Sequence, residues 1–210
     1  MSDTLPSIDD LLESKLPSVE DFIKEEEFAL VTCHRRENIL SPESFESIIN
    51  LINTTSKKVV FPMGYATQRQ LKDSGMKLND NILVVDPIGY LEFIYLLKNA
   101  SYCLSDSGTV IEEACILGIP TVQMRHSTER PEVYEVKSSI KFDPTINNDN
   151  LEDVHFKAYE LKSTVWKHPF GDGTASKVIV DDLIDLSKNN NFNKHARENY
   201  DFDTSRSFLK

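Results

Sequence analysis

Cysteine is scarce in this sequence of 210 residues: it occurs three times, at Cys33, Cys103 and Cys115. The three form no CxxC pair and stand at no spacing from histidine that is typical of a metal site. Each lies in an apolar stretch, so we predict free, buried thiols and neither a disulfide framework nor a metal centre. Such cysteine usage fits a reducing compartment, and we expect a cytoplasmic protein.

Long apolar runs are missing as well, because no stretch reaches 18 apolar residues. Residues 1–4, MSDT, include an acid and lead into no apolar segment. We therefore expect neither a membrane span nor a secretory signal. With 40% hydrophobic and 27% charged residues, the chain has the composition of one ordinary globular domain.

Positive charge is also in short supply, with 23 Lys and Arg residues against 34 Asp and Glu residues and a formal net charge of −11. This balance repels a phosphate backbone and disfavours a general DNA- or RNA-binding protein, so we expect no nucleic-acid partner. An acidic protein can still bind one phosphorylated small molecule where a few Arg, His and backbone N–H groups converge.

Strand-like and helix-like segments alternate from residue 28 onward, after an acidic lead-in over residues 1–27 that we interpret as lying outside the core. We predict one domain over residues 28–188 and a polar, Asn-rich tail over 189–210. The predicted strands cover residues 28–33, 59–62, 82–85, 102–104, 120–124 and 139–142. Predicted helices cover residues 41–52, 67 to about 75, 90–97, 109–117, 149–161 and 175–186.

This alternation predicts an α/β fold with a doubly wound, Rossmann-like parallel sheet, because near-continuous apolar strands are typical of a sheet covered on both faces. Ligands of such sheets bind beyond the carboxyl ends of the strands. The segments after strands one, four and five, residues 34–38, 105–109 and 125–132, should therefore meet at one edge. They carry His, Arg, Ser and Gly residues that suit a phosphate group.

Ser107 and Gly108 precede a predicted helix directly after the fourth strand. A helix N-terminus presents unpaired N–H donors, and a glycine lets an anion approach the backbone, so this is a candidate phosphate site. An alternative is a capping box in which Thr109 caps the helix and Glu112 reaches back. Both can hold together, because such a box leaves the N–H groups around Gly108 available.

Purely structural roles remain open for the other candidates. Glu112 and the adjacent Glu113 project about 100° apart on a helix, so at most one of them faces a ligand. Phe93 lies on an apolar predicted helix, where core packing is the ordinary role. His34 stands at a strand end, where a lone histidine usually has a structural role, and Arg130 can form a loop ion pair with a neighbouring glutamate, Glu129 or Glu132.

The ordered motifs of this edge resemble the carboxyl-terminal half of the non-hydrolysing UDP-N-acetylglucosamine 2-epimerases. The resemblance covers roughly residues 28–186, and the combination of motifs is far more specific than any one of them. The segments that carry it are HRREN at 34–38, PIGYLEF at 87–93, SDSGTVIEE at 105–113, RHSTERPE at 125–132 and GDGTA at 171–175.

That resemblance implies the carboxyl-terminal domain of a GT-B fold, in which UDP lies between two Rossmann-like halves. It implies that UDP-GlcNAc is converted to UDP-ManNAc by elimination and re-addition of UDP, with no cofactor and no metal, in the supply of sugars for surface polysaccharide. It also implies that Phe93 stacks on uracil and that Glu113 binds the ribose.

For the diphosphate, the resemblance implies that Ser107 and Gly108 hold it and that His34 and Arg130 lie nearby. Departure of UDP builds negative charge on the diphosphate, and donors aimed at that charge stabilise the transition state. We therefore expect His34 and Arg130 to be catalytic residues that act on the leaving group.

Two departures qualify the resemblance. Family enzymes are about twice as long as this chain, so we expect a separate N-terminal half or a homo-oligomer as a partner. Gly64 stands where the family usually has a histidine that, in some bacterial members, belongs to an allosteric site for a UDP-sugar, and Thr109 replaces a frequent second glycine. Two alternatives stay open: a non-catalytic module that binds UDP or a UDP-sugar, and the half-domain of a UDP-dependent glycosyltransferase.

Overall fold

The computed structural model describes residues 17–24, 26–148 and 150–189. A six-stranded sheet runs through it, with every neighbouring pair of strands parallel and the order β3-β2-β1-β4-β5-β6. The strands are β1 (Phe28–Thr32), β2 (Lys58–Pro62), β3 (Ile82–Val85), β4 (Tyr102–Ser105), β5 (Thr121–Met124) and β6 (Ser139–Phe142). The predicted Rossmann-like sheet is confirmed, and each predicted strand is found to within one residue of its bounds.

The described residues contain nine helices, of which those before residue 170 connect the strands and cover the sheet. They are α1 (Pro17–Ile23), α2 (Arg36–Ile39), α3 (Pro42–Thr54), α4 (Tyr65–Ser74), α5 (Tyr90–Asn99), α6 (Gly108–Leu117), α7 (Glu132–Glu135), α8 (Leu151–Glu160) and α9 (Ala175–Lys188). A 3-10 turn, Leu161–Ser163, extends α8. The one-turn helices α2 and α7 were not predicted, because four residues are too few for an amphipathic period to be visible.

Side chains of strands β1 to β4 alternate between two hydrophobic cores, one on either face of the sheet. On β1, Ala29 and Val31 join the core under α3 and α8, whereas Phe28 and Leu30 join the core under α5 and α6. All four are buried. A strand with both faces covered explains why the sequence of β1 is apolar from Phe28 to Val31 instead of alternating.

Two helix ends show how local sequence fixes a boundary. Ser41 is the N-cap of α3, its hydroxyl oxygen accepts the N–H of Ser44 at 3.2 Å, and Pro42 occupies the first helical position, as predicted. At the carboxyl end of α6, Gly118 adopts a left-handed conformation with φ of +77° and stops the helix.

The acidic lead-in contributes more to the core than expected. Helix α1 buries Val19 to 1% exposure in the core that also contains Leu97. The interpretation of this segment as lying outside the core is therefore wrong for α1. The earlier part of the lead-in, residues 1–16, lies outside the described residues.

The described residues up to Pro169 form one compact unit, and those from Phe170 form a second unit that contains α9. Ahead of α9, Gly171 and Gly173 have φ of +75° and +84°, values that favour glycine. The prediction of one domain over residues 28–188 stays a prediction. Apart from Asn189, the predicted polar tail lies outside the described residues.

Three further expectations concern what the chain contains. Cys33, Cys103 and Cys115 are free and buried, as predicted. Burial raises the pKa of all three thiols above the usual range. Within the described ranges, no helix is long and apolar enough to cross a membrane, and no group of three or more His, Cys, Asp or Glu residues could hold a metal ion.

Candidate nucleotide-binding edge

The predicted edge lies where the strand order reverses. Strands β1 and β4 are neighbours at the centre of the sheet, and the chain turns to opposite sides from them, which is the position where doubly wound sheets bind ligands. We call the segments that follow β1, β4 and β5, residues 33–38, 105–109 and 125–130, the carboxyl edge. Contacts among these segments show that they meet.

Asp106 joins the first two segments of the carboxyl edge. Its carboxylate is fully buried and accepts the backbone N–H of His34 at 3.0 Å, that of Arg35 at 2.8 Å and the side-chain amide of Asn38 at 3.1 Å. In return, the Nε–H of Arg35 donates to the backbone oxygen of Asp106 at 2.9 Å. A buried carboxylate needs such donors, so Asp106 fixes the path of the HRREN segment beside the start of α6.

The imidazole of His34 faces outward at this edge. Its side chain is 57% exposed, and Nδ1 lies 3.6 Å from Oδ1 of Asp106 and 3.4 Å from Oγ1 of Thr32. The ring is therefore oriented by its neighbours on the Nδ1 side and accessible to a ligand from solvent.

Ser107, and not Thr109, is the N-cap of α6. Its hydroxyl oxygen accepts the N–H of Val110 at 3.5 Å, whereas the carboxylate of Glu112 contacts Arg130. The expected capping box on Thr109 and Glu112 is therefore wrong. As an acceptor, the Ser107 oxygen keeps its own O–H for donation, and the first N–H groups of α6 point beyond the end of the helix.

Gly108 is buried at the first position of α6. A Cβ built there would lie 3.4 Å from Oε1 of Glu129 and 3.9 Å from Nη1 of Arg125. These are ends of flexible side chains, so packing alone does not demand a glycine here. The space in front of Gly108 is bounded by a carboxylate and a guanidinium.

Arg130 reaches α6 from the loop after β5. Its Nε–H donates to the carboxylate of Glu112, and its Nη1 donates to the backbone oxygen of Glu129 at 3.1 Å. The alternative of a loop ion pair between Arg130 and the carboxylate of Glu129 or Glu132 is therefore wrong. The cross-loop pair with Glu112 holds the Arg130 guanidinium beside the first turn of α6.

Glu129 instead bridges two other arginines. Its Oε2 accepts from Nη1 of Arg125 at 2.8 Å, and its Oε1 accepts from Nη2 of Arg35 at 3.4 Å. Partial burial acts to raise the pKa of Glu129, but its own backbone hydrogen bond and the charges of Arg125 and Arg35 outweigh that and lower it. Glu129 is therefore ionised at neutral pH.

Glu113 points to a different partner from Glu112, as their spacing on the helix requires. The hydroxyl of Tyr90, at the start of α5, donates to Oε1 of Glu113 at 3.0 Å, and this bond raises the pKa of the hydroxyl. Phe93, one turn further along α5, is half-buried against the core under α5 and α6. Phe93 thus has one side in the core and the other accessible to a ligand.

A cavity of about 560 Å³ opens beside the end of β3 and the start of α5. Its lining includes Asp86, Gly89 and Glu92. A Cβ at Gly89 would lie 2.3 Å from Oε2 of Glu92, so a larger residue would require that carboxylate to shift. The cavity shows that this end of the sheet has space for a group larger than a phosphate.

The structure therefore brings five of the six predicted site residues, His34, Ser107, Gly108, Glu113 and Arg130, to the carboxyl edge and to α6, and it places Phe93 on the neighbouring α5. Sequence reasoning assigned no role to Asp106, Arg35, Arg125 or Tyr90. Asp106, the one acid between β4 and α6, offered a signal, because an acid at a buried strand end must find donors. Nothing comparable in the sequence indicated which carboxylates Arg35 and Arg125 contact.

Comparison with known proteins identifies the family of this chain. A sequence profile described as UDP-N-acetylglucosamine 2-epimerase matches residues 1–184. The chain belongs to this family. The UDP-N-acetylglucosamine 2-epimerase of Methanococcus maripaludis is 40% identical over 166 residues, which cover 75% of this chain and 44% of the relative. That of Methanocaldococcus jannaschii is 38% identical over 167 residues and is covered to the same extent, 44%.

Solved structures show the same family likeness. The crystal structure of the Methanocaldococcus jannaschii UDP-GlcNAc 2-epimerase in complex with UDP-GlcNAc and UDP matches 83% of this chain and 50% of that one, with a TM-score of 0.66 and 33% identity. The Neisseria meningitidis enzyme bound to UDP-GlcNAc gives a TM-score of 0.65 and 27% identity. The chain thus spans about half the length of the epimerases it matches, with the fold and motifs of a carboxyl-terminal half.

Proposed function

We propose that this chain is the nucleotide-binding half of a UDP-N-acetylglucosamine 2-epimerase and that its carboxyl edge binds the UDP part of UDP-GlcNAc. The observation that carries the proposal is the meeting of the HRREN, DSG and TERPE segments at the switch point of the sheet. The printed ligands of the Methanocaldococcus jannaschii structure, UDP-GlcNAc and UDP, support the choice of substrate.

In this proposal, the diphosphate lies in front of α6. The N–H groups around Gly108 and the hydroxyl of Ser107 donate to its oxygens, and the helix dipole favours its charge. Arg130 and His34 approach from the two flanking segments. Breaking the bond between C1 of the sugar and the diphosphate oxygen moves negative charge onto UDP, so these donors lower the barrier for departure.

The nucleoside extends toward α5. Phe93 offers an aromatic face to uracil, and Glu113 accepts hydrogen bonds from the ribose hydroxyls in place of the hydroxyl of Tyr90. Glu112 is already paired with Arg130, so Glu113 is the one of the two adjacent carboxylates that is assigned to the ribose.

The proton exchange at C2 belongs to groups outside the carboxyl edge. Each carboxylate that the edge and α6 bring together already contacts a donor of this chain, namely Glu37, Asp106, Glu112, Glu113 and Glu129. We therefore assign the acid and base that act on the sugar to the half that the family enzymes have and this chain does not span.

The test is turnover in D2O by this chain mixed with the separately produced N-terminal half of an epimerase. We expect UDP-GlcNAc to give UDP-ManNAc with one deuterium at C2, detected by NMR and mass spectrometry. A His34→Gln variant should lower kcat by about 100-fold, the usual effect of removing one donor to a developing charge. Absence of turnover with every N-terminal partner would refute the enzyme function.

The same mixture separates the alternatives. Binding of UDP without turnover would indicate a non-catalytic module. Transfer of the sugar to an acceptor, without deuterium at C2, would indicate a glycosyltransferase half-domain.

A further inference from the structure

The carboxyl edge contains an ion pair that the proposed function does not use. Arg125 is 7% exposed and is held by Oε2 of Glu129 at 2.8 Å, while the 30% exposed Arg35 lies 3.4 Å from Oε1 of the same carboxylate. The Glu129 side chain is itself half-exposed, at 50%. Two guanidinium groups therefore share one accessible carboxylate.

The position of that carboxylate is the important fact. Oε1 of Glu129 lies 3.4 Å from a Cβ built on Gly108, the first residue of α6. An anion at a helix N-terminus, flanked by two arginines, is the arrangement in which proteins bind phosphate. Glu129 thus supplies from within the chain the negative charge that this place attracts.

We propose that Glu129 is an internal competitor for the diphosphate and that Arg35 and Arg125 are two further diphosphate-binding residues, which become available when Glu129 is displaced. The inference rests on the proposed function and deepens it. Glu129 holds both guanidinium groups in position while the site is empty, and the diphosphate, with more charge and more acceptor oxygens, replaces it.

Displacement of Glu129 is compatible with the surrounding contacts. The nearby Glu37 carboxylate lies 3.6 Å from Nη1 of Arg35 and 4.0 Å from Nε of Arg125, so neither guanidinium depends on Glu129 alone. Arg35 also keeps its Nε–H bond to the backbone of Asp106. The arginines therefore stay in place when Glu129 moves.

The consequence is a reduced apparent affinity. A protein whose binding-competent conformation is only partly populated binds its ligand less tightly by that fraction. Removing the charge of Glu129 should therefore tighten binding, a result that a purely structural ion pair would not give.

The test compares Glu129→Gln with wild type by titration calorimetry, using UDP, inorganic pyrophosphate and uridine as probes. The amide that this substitution introduces keeps an oxygen that can accept from Arg125, so the fold should be maintained, and thermal unfolding checks this. We expect the variant to bind UDP and pyrophosphate about threefold to tenfold more tightly and uridine equally well. Glu135→Gln, an exposed site on α7, makes the same change in net charge and should leave all three affinities unchanged.

A complementary pair of variants tests the arginines. Arg35→Gln should weaken UDP and pyrophosphate binding several-fold, whereas Arg69→Gln, at an exposed position on α4, should not. Binding of UDP with equal or lower affinity by Glu129→Gln would overturn the inference and leave the proposed function standing. Tighter pyrophosphate binding without any UDP binding would refute the proposed function alone, and binding of neither probe by any variant would refute both.

Discussion

The two ends of the sheet treat their polar residues in opposite ways. At the amino end, Nε2–H of His155 donates to the backbone oxygen of Leu51 at 2.7 Å, which leaves Nδ1 to accept from the hydroxyl of Tyr102 at 2.9 Å. The hydroxyl of Thr55 in turn lies 2.9 Å from that of Tyr102. These three side chains are all buried, and their polar atoms satisfy one another.

At and beside the carboxyl edge, by contrast, the pairs of Glu129 and of Tyr90 each have an exposed member. Glu129 takes the two arginines, and Tyr90 takes Glu113, each at a place where a ligand oxygen or hydroxyl could substitute. The comparison teaches that a closed hydrogen-bond network lies at one end of this sheet, whereas replaceable pairs lie at the end where we propose that UDP binds.

The largest effect should come from Asp106, which is fully buried like the network at the amino end but lies at the carboxyl edge. Asp106→Ala leaves the N–H groups of His34 and Arg35 without their buried acceptor, so we expect a loss of about 3 kcal/mol in the free energy of unfolding and a loss of UDP binding. Urea denaturation measures the loss in the free energy of unfolding. A loss below about 1 kcal/mol would show that the carboxylate does not hold the HRREN segment.

Phe93→Ala sharpens the comparison on the binding side. We expect UDP affinity to fall by about 1–3 kcal/mol, the usual worth of a base stacked on an aromatic ring. Stability should fall by less than the roughly 3–5 kcal/mol of a fully buried phenylalanine, because Phe93 is only half-buried. Calorimetry measures the loss of UDP affinity, and denaturation measures the loss of stability. A variant that unfolds while its remaining folded fraction binds UDP normally would assign Phe93 to packing.

Tyr102→Phe tests the amino end alone. The variant loses the hydroxyl that joins Thr55 to His155, so the protein should be destabilised by about 1–2 kcal/mol with UDP affinity unchanged. Tyr90→Phe is the matched control: its side chain is exposed, so removal of its hydroxyl should change stability by less than about 0.5 kcal/mol. Equal destabilisation by the two variants would contradict the comparison.

The smallest expected effect is a pH dependence of stability at the amino end. Burial lowers the pKa of His155 below its ordinary value of 6.5, and the bond to Leu51 offsets this only in part. As pH falls below 6.5, the unfolded chain binds a proton at His155 that the folded chain does not, so stability falls until the folded pKa is reached.

Denaturation of wild type and His155→Gln between about pH 5 and pH 7 measures this contribution. The variant should have a flatter profile. Identical profiles would show that His155 does not contribute to the pH dependence.

The fold could be predicted almost entirely from the sequence, since it follows from periodicity. Central parallel strands such as β1 are apolar over most of their length, helix starts such as Ser41-Pro42 have characteristic side chains, and the switch-point rule then fixes where the loops converge. Helix α1 was misjudged because a single turn of apolar residues in an acidic segment gives no sign of whether it packs.

The pairing of side chains at the carboxyl edge could not be predicted in the same way. Arg130 had Glu129 and Glu132 as neighbours in sequence, yet it pairs with Glu112, and Glu129 pairs with Arg125 and Arg35. Alternative ion pairs on one surface differ little in free energy, so tertiary geometry decides among them. Likewise, Ser107 and Thr109 are both good caps, and only the backbone conformation shows which one is used.

The most direct test of the central claim is an amide NMR titration of the full chain with UDP. The account predicts shifts at His34, Ser107 and Gly108 on the carboxyl edge and at Phe93 on α5, with the amides of Thr55 and His155 unchanged. Shifts centred on the amino end, or no shifts at saturating UDP, would contradict the claim that this edge is the nucleotide-binding site.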